Sequence, residues 1–441
     1  MKTQYKPSIF NVYSILDIEN VLVYNTLTQG AISAEKNLVK IIKEESSKLE
    51  LNYIEYLLKQ EILVPFDLDE KENLFKLFKE VNDIQDSLDI TICTTTKCNM
   101  KCLYCYEETI KETTLTPQII KNITIWLQKY IQDNKIEILR PLLFGGEPLL
   151  AKDQMYELMR SLNKMTETLG KKCVFSIGTN GILLTRETVL EMKEQGLVHA
   201  MVTIDGPEKD HNRRRPWVLG GNSFEVIISN LKNIVDLINV TLKLNIDKDN
   251  INSIKEIFEI LERYNLKDSI DIKIEAIAVT PASQMVPNHF CRLYAFDPQK
   301  AEMAYAYLKM INLAEEKGFK VHRSTAHSTP CMFPSKSGFA LDPEGNIYKC
   351  ISAIGVEEFK VGNVSDESFN GLYHKAIKFL DLCDSCFDKG CPFVPKCGGG
   401  CAYDSFCSTG EIFVKDCKRE FIETFYTNFF KNIYYKTNKT R

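Results

Sequence analysis

Residues 89–105 read DITICTTTKCNMKCLYC, in which a strand expected over Asp89–Cys93 runs straight into a loop bearing Cys98, Cys102 and Cys105. Isoleucine and threonine alternate through the first positions, a composition that favours a strand. The loop then crowds three thiols into eight residues. A C-x3-C-x2-C spacing offers one thiolate fewer than a [4Fe–4S] cube takes for full protein ligation, which leaves one iron open to an outside ligand. Structural zinc, or an electron-transfer cluster, calls instead for a fourth protein ligand close by. The spacing alone leaves both readings open, and the surroundings of the loop must decide.

Outward from this strand a strand–helix pattern repeats six times. Strands are expected at Asp89–Cys93, Ile138–Phe144, Cys173–Gly178, Ala200–Ile204, Val240–Asn245 and Asp271–Ile277. Helices are expected near Thr116–Asp133, Lys152–Leu169, Arg186–Glu194, Ser223–Leu237, Ile254–Arg263 and Pro298–Lys317. Such alternation argues for a parallel sheet. Six units suit an open, partial (βα)6 TIM-like barrel, an α/β fold, over residues 88–325. Chemistry in such a barrel gathers at the C-terminal ends of the strands. The cysteine loop follows strand 1, Gly145-Gly146-Glu147-Pro148 follows strand 2, Thr179-Asn180-Gly181 follows strand 3, Asp205-Gly206-Pro207 follows strand 4, and Asn245 ends strand 5. Five polar or glycine-rich tips on one rim are not chance scatter. Gly145 and Gly146 let the backbone come close to a ligand because no Cβ intervenes.

The cysteine loop, FGGEPLL at 144–150 and VTIDGPEKDHNRRRP at 202–216 together resemble the radical SAM superfamily. The resemblance implies that the amino and carboxylate groups of S-adenosylmethionine close the open iron of a cube held by Cys98, Cys102 and Cys105. It implies a low-potential electron donor of flavodoxin or ferredoxin type, and a 5′-deoxyadenosyl radical, so that the cofactor carries the difficult chemistry. By position, Gly145, Gly146 and Glu147 would hold the cofactor's ammonium, and Thr203 and Arg215 its carboxylate. The triple arginine leaves Arg213 or Arg214 as substitutes, while Thr203 replaces a serine and Asn212 an aspartate of the family pattern. Asn180 and Asn245 would line the pocket, and Tyr104 would pack near the adenine. His211 reads as a structural hydrogen-bonder. Glu275, at the tip of strand 6, is a candidate base or simply a salt-bridged residue.

Fifteen cysteines, an odd number, argue against a disulfide framework. All except Cys93, Cys173 and Cys291 lie in the first triplet or beyond residue 330, and those three read as small buried hydrophobes. Cys331, Gly345 and Cys350, then Cys383, Cys386, Cys391, Cys397, Cys401, Cys407 and Cys417, resemble the SPASM domain over residues 326–441. That resemblance implies two auxiliary [4Fe–4S] clusters. One would use Cys386, Cys391, Cys397 and Cys417. The other would use Cys331, Cys350 and Cys401, its fourth position taken by Cys383 or Cys407 or left open to a substrate thiolate. Structural zinc is the alternative.

The formal charge is −4 and both signs are interspersed, so no electrostatic footprint for nucleic acid is present. No continuous apolar segment approaches a membrane span, and a cytoplasmic protein is expected. Apolar pairs four residues apart from Phe421 to Tyr434 make one helical stripe, expected to dock onto the barrel. Residues 1–85 show alternating runs at Asn11–Leu16 and Val21–Tyr24, helical patterns near Ala34–Ser46, Asn52–Lys59 and Glu70–Val81, and ILVPF between the last two. This order suggests a winged-helix-like module, and it resembles the leader-recognition element of peptide maturases, where an extended peptide adds to a sheet edge. The first functional reading is a maturase of a ribosomal precursor peptide that forms a thioether or carbon–carbon crosslink. A sulfatase-maturating enzyme forming formylglycine is the second, although its cluster motif lies near the N-terminus and here 97 residues precede Cys98. An iron–sulfur electron carrier is the third, and it would have no use for GGEP or the polar strand tips.

Overall fold

The computed structural model describes residues 4–44, 46–83, 85–105, 110–278, 290–322, 331–366 and 368–439. Six parallel strands follow one another in chain order: Ser87–Thr95, Ile138–Gly145, Phe175–Thr179, Leu197–Ile204, Asn239–Ile246 and Ile270–Ala276. Each lies within a few residues of its expected place. Strand 3 alone is split, because Lys172–Cys173 pairs separately with strand 2. The register sets Thr203 beside Lys243 and Asn245 beside Glu275, so these residues sit on one face at the rim.

Helices cover the outer face for local reasons. Pro117–Asn134 starts where the Thr116 hydroxyl accepts the Ile119 N–H and proline fills the first turn. Lys152–Leu169 buries Met155, Leu158, Met159 and Leu162 on one stripe and stops at Gly170, with φ 68°. The apolar side chains of both faces merge into one core.

The sheet does not end at strand 1. Leu88, Ile90 and Ile92 are at most 1% exposed, and a strand so buried must pair on both sides to satisfy its backbone. Gly338–Leu341 supplies that partner in parallel, and continues antiparallel into Asn346–Tyr348 and Lys360–Asn363. The C-terminal third is thus hydrogen-bonded into the barrel sheet. The domain boundary expected at 325–326 lies outside the described residues.

The N-terminal module holds a three-stranded antiparallel sheet, Asn11–Ile15, Asn20–Asn25 and Ala31–Glu35, and helices Lys36–Glu44, Leu51–Lys59 and Glu70–Asn82. ILVPF contributes Leu63–Pro65, paired with Tyr5–Pro7. The helix expected from Ala34 begins only at Lys36. Ile32 and Ala34 alternate inward opposite Val23 and Val21, and cross-strand packing outweighs helix propensity there.

The apolar stripe near the C-terminus is the helix Arg419–Lys439. Phe421 meets Tyr307 at 6.2 Å, and Phe430 stacks on Tyr24 of the N-terminal module at 4.4 Å. Among the described residues, no helix is long and apolar enough to cross a membrane.

Candidate functional site

Hydrogen bonds on both flanks shape the cysteine loop. Gly146 N–H donates to Thr95 O (3.0 Å) and Glu147 N–H to Lys97 O (2.8 Å). From the other side Lys101 N–H donates to Pro216 O (3.0 Å), Leu103 N–H to Arg214 O (2.9 Å), and Val218 N–H to Asn99 O (2.9 Å). Residues 99–103 therefore zip onto residues 214–218, a pairing across more than a hundred positions. A cavity of about 480 Å³ opens beneath them, lined by Cys98, Cys102 and Cys105. Tyr104, Gly145, Gly146, Asn180, Thr203, Arg215 and Asn245 line it too, which brings together every pocket residue expected from the sequence except Glu147.

The two glycines have a further reason to be there. A Cβ on Gly146 would stand 2.5 Å from Lys97 O, and one on Gly145, whose φ is +139°, 2.1 Å from Thr95 O. They permit strand 2 and the cysteine loop to touch. Gly146→Ala is expected to force the loop outward and lower stability by about 1–3 kcal/mol. Denaturant midpoints and iron retention measure it.

Glu147 is not part of the cavity lining. It is fully buried, and its carboxylate accepts from Thr179 Oγ1 (2.8 and 2.9 Å), Asn180 N–H (2.8 Å) and Leu149 N–H (3.2 Å). A buried carboxylate requires such donors. Its contacts lock the tips of strands 2 and 3 together, behind the cavity wall rather than in it.

The triple arginine is sorted by burial. Arg213 is half-exposed and pairs with Asp210 and Asp249. Arg214 is completely buried, held by Asp205 (3.1 Å), Asp247 (2.8 Å) and Asp249 (3.0 Å). Of the three, Arg215 alone lines the cavity, and its Nε is buried without a hydrogen-bond partner. Its Nη1 donates to the Tyr104 hydroxyl (2.7 Å), which also accepts from Asn245 Nδ2 (2.9 Å) and donates to Asp205 Oδ1 (2.8 Å). Tyr104 is thus the hub of the pocket's polar network as well as part of its wall.

His211 is structural: its Nδ1 accepts the Asp205 N–H at 3.3 Å. Burial first, then the positive charge of Arg215, pulls its pKa from 6.5 to about 3. The unfolded chain protonates this ring below about 6.5 while the native chain does not, so stability falls as pH drops from there towards 3. By about pH 5 the loss amounts to about 2 kcal/mol. In His211→Asn the slope of Tm against pH over that window should flatten, whatever happens to Tm itself.

Glu275 does not line the cavity; it pairs with Lys273 at 3.0 Å and is partly exposed, the salt-bridged of its two readings. Lys243, by contrast, lines the cavity and went unremarked in the sequence. Burial draws its ammonium pKa down, against the opposing pull of Glu275. Its signal was a lone lysine inside the apolar run VTLKLNI.

No disulfide joins any of the cysteines, all of which lie among the described residues. Burial first, then the thiols of Cys386, Cys391 and Cys417 against the opposing Lys418, pushes Cys397 up to about 12. Burial, then Cys401 and Cys331, likewise raises Cys350. Gly398, Gly399 and Gly400 all have positive φ (58°, 87° and 113°) and curl the chain between Cys397 and Cys401. Among the described residues, no three His, Cys, Asp or Glu side chains are arranged to hold a single metal ion. A cube binds each thiolate to a different iron and spreads them wider than a mononuclear site does. The three thiols of the cysteine loop have the chemistry of a cube's donors, and the unpartnered Arg215 Nε fits an anionic group such as a carboxylate beside them.

Residues 92–277 match the radical SAM superfamily. The probable GTP 3′,8-cyclase of Archaeoglobus fulgidus is 24% identical over 245 residues, 55% of this chain and 74% of that protein. Against seven further curated relatives the match spans between 35% and 53% of their length. Among solved structures, native anSMEcpe with bound AdoMet and the Cp18Cys peptide superposes with TM-score 0.62 at 16% identity, covering 80% of this chain and 99% of that one. Streptococcus suis SuiB bound to precursor peptide SuiA superposes with TM-score 0.57 at 13% identity, covering 94% of this chain and 99% of that one.

Proposed function

We propose that this chain, whose residues 92–277 match the radical SAM superfamily, is a radical SAM enzyme that matures a ribosomal precursor peptide by installing a thioether or carbon–carbon crosslink. The observation that carries the reading is the module ahead of the barrel. The likeness to SuiB covers 94% of this chain against 80% for anSMEcpe, and so takes in sequence outside the latter. The outer strands of the module's sheet, Asn11–Ile15 and Ala31–Glu35, each have one neighbour among the described residues, and an extended leader segment adds to such an edge.

In the pocket, Cys98, Cys102 and Cys105 hold the cube, and Arg215 takes the cofactor's carboxylate with Thr203, Asn180 and Asn245 around it. When bound, S-adenosylmethionine and the [4Fe–4S] cluster supply hydrogen-atom abstraction from the substrate. Met100, Ile110, Phe144 and Met201 give the cavity apolar walls that keep water away. The C-terminal cysteines hold two auxiliary cubes, and a low-potential flavodoxin or ferredoxin delivers electrons. The second reading, formylglycine formation, is favoured by the higher TM-score of 0.62 to anSMEcpe. An electron carrier is disfavoured by the built pocket.

The test is anaerobic incubation with S-adenosylmethionine, reductant and candidate peptides of two kinds, short cysteine-rich precursor peptides and a peptide carrying a sulfatase-type cysteine. Either crosslink gives 5′-deoxyadenosine and a peptide two hydrogens lighter, and a thioether leaves in addition a cysteine that no longer alkylates. Exchange of the cysteine sulfur for oxygen supports formylglycine formation instead. No peptide-dependent turnover, with either kind of peptide, removes the proposal.

A further inference from the structure

We infer that Cys407 is the fourth protein ligand of the first auxiliary centre, so that Cys331, Cys350, Cys401 and Cys407 enclose it and leave no iron for a substrate thiol. The inference rests on the reading that the C-terminal region holds two cubes.

Two separate cores sort the spare thiols. Cys350, Cys401 and Cys407 all pack against the cluster built from Phe333, Ala340, Tyr348, Phe359 and Tyr403. Cys331 joins it through the Phe333 N–H, which donates to its Sγ at 3.3 Å. Cys383 and Cys386 belong to a different core, with Phe10, Leu74 and Val394. The Cys383 sulfur sits 3.2 Å from where a Cβ on Gly399 would stand, and its electrostatic neighbours are Cys386 and Cys397. Cys383 is therefore a fifth thiol of the second group and out of contention for the first.

Cys407 lies on the helix Ala402–Thr409, which Cys401 caps by accepting the Asp404 N–H at 3.5 Å. It stands one turn from Tyr403, on the same helix face, and Tyr403 belongs to the core against which Cys350 and Cys401 also pack. Cys407 also borders a cavity of about 540 Å³ that reaches Thr96 and Ile110. A thiol left free in that cavity is the competing outcome.

The experiment uses the full chain with Cys98, Cys102 and Cys105 replaced by alanine, reconstituted without oxygen. About eight irons per chain in this parent support the two-cube reading, and about four would remove it independently of Cys407. The electron paramagnetic resonance of the reduced parent should be indifferent to added N-acetylcysteine. Adding Cys407→Ala should alter one of the two signals and make it respond to N-acetylcysteine, while Cys173→Ala changes nothing. If Cys407→Ala sheds about four irons, Cys407→Ser should retain them with one signal shifted. A parent that already responds to the thiol, a Cys407→Ala or Cys407→Ser protein spectroscopically identical to the parent, or the same response produced by Cys383→Ala overturns the inference.

Discussion

Replacing any one of Cys98, Cys102 or Cys105 by alanine is expected to abolish production of 5′-deoxyadenosine, down to the level of an enzyme-free control. Iron should fall from ~12 to ~8 per chain. Two thiolates cannot retain a cube against solvent, whereas the auxiliary groups proposed from Cys331 onward would not share these ligands. The fold should survive. The loop's course is fixed by the bonds from Lys101, Leu103 and Val218 and by Gly146 N–H on Thr95 O, none of which involves sulfur. Circular dichroism and the denaturant midpoint should therefore stay near wild type while turnover vanishes. Retained cleavage in all three variants would show that the triplet is not the site of the chemistry.

The second large effect is on stability. Arg214→Met is expected to cost about 3–5 kcal/mol, because it leaves the buried Asp247 carboxylate with backbone N–H donors but no cation and leaves Asp205 only the more distant Arg215 at 3.9 Å. Both carboxylates are 0% exposed, so water does not repay the loss. Arg215→Lys should behave in the opposite manner. It keeps a positive charge near Asp205 but removes the planar guanidinium that suits bidentate recognition of a carboxylate. Its midpoint should move little, while S-adenosylmethionine binding weakens by about 1–3 kcal/mol, the cost of an unmatched charged hydrogen bond. Equilibrium denaturation and anaerobic titration separate the two, and similar losses of stability in both variants would refute the assignment of roles.

How far the site was legible follows from the range of the forces involved. Strand 2 was readable because ILRPLLFGGEP changes abruptly from apolar alternation to glycine and proline. Arg215 was readable only as one of three consecutive arginines, since register on a helix end is decided by which neighbour buries it. Asp247 and Asp249, which settle that choice, lie more than thirty positions away. Glu147 carried a motif position but not its environment. Thr179 and Asn180 claim its carboxylate from the next strand, a contact that no local pattern announces. The helix expected near Ala34–Ser46 is present but starts two residues later for the same reason, because Val21 and Val23 across the sheet hold Ala34 and Ile32 in a strand.

The sequence by itself determined the parallel sheet and its strand order, the strand tips that carry the polar and glycine-rich turns, and the loop of three thiols that would leave an iron of a cube open. These follow from periodicity and spacing, which are local. Tertiary structure alone decided that residues 214–218 clamp the cysteine loop, that Gly338–Leu341 extends the barrel sheet from the C-terminal third, and which arginine meets the cavity. Each is settled by burial and backbone pairing between distant segments, which exist only once the chain has closed on itself.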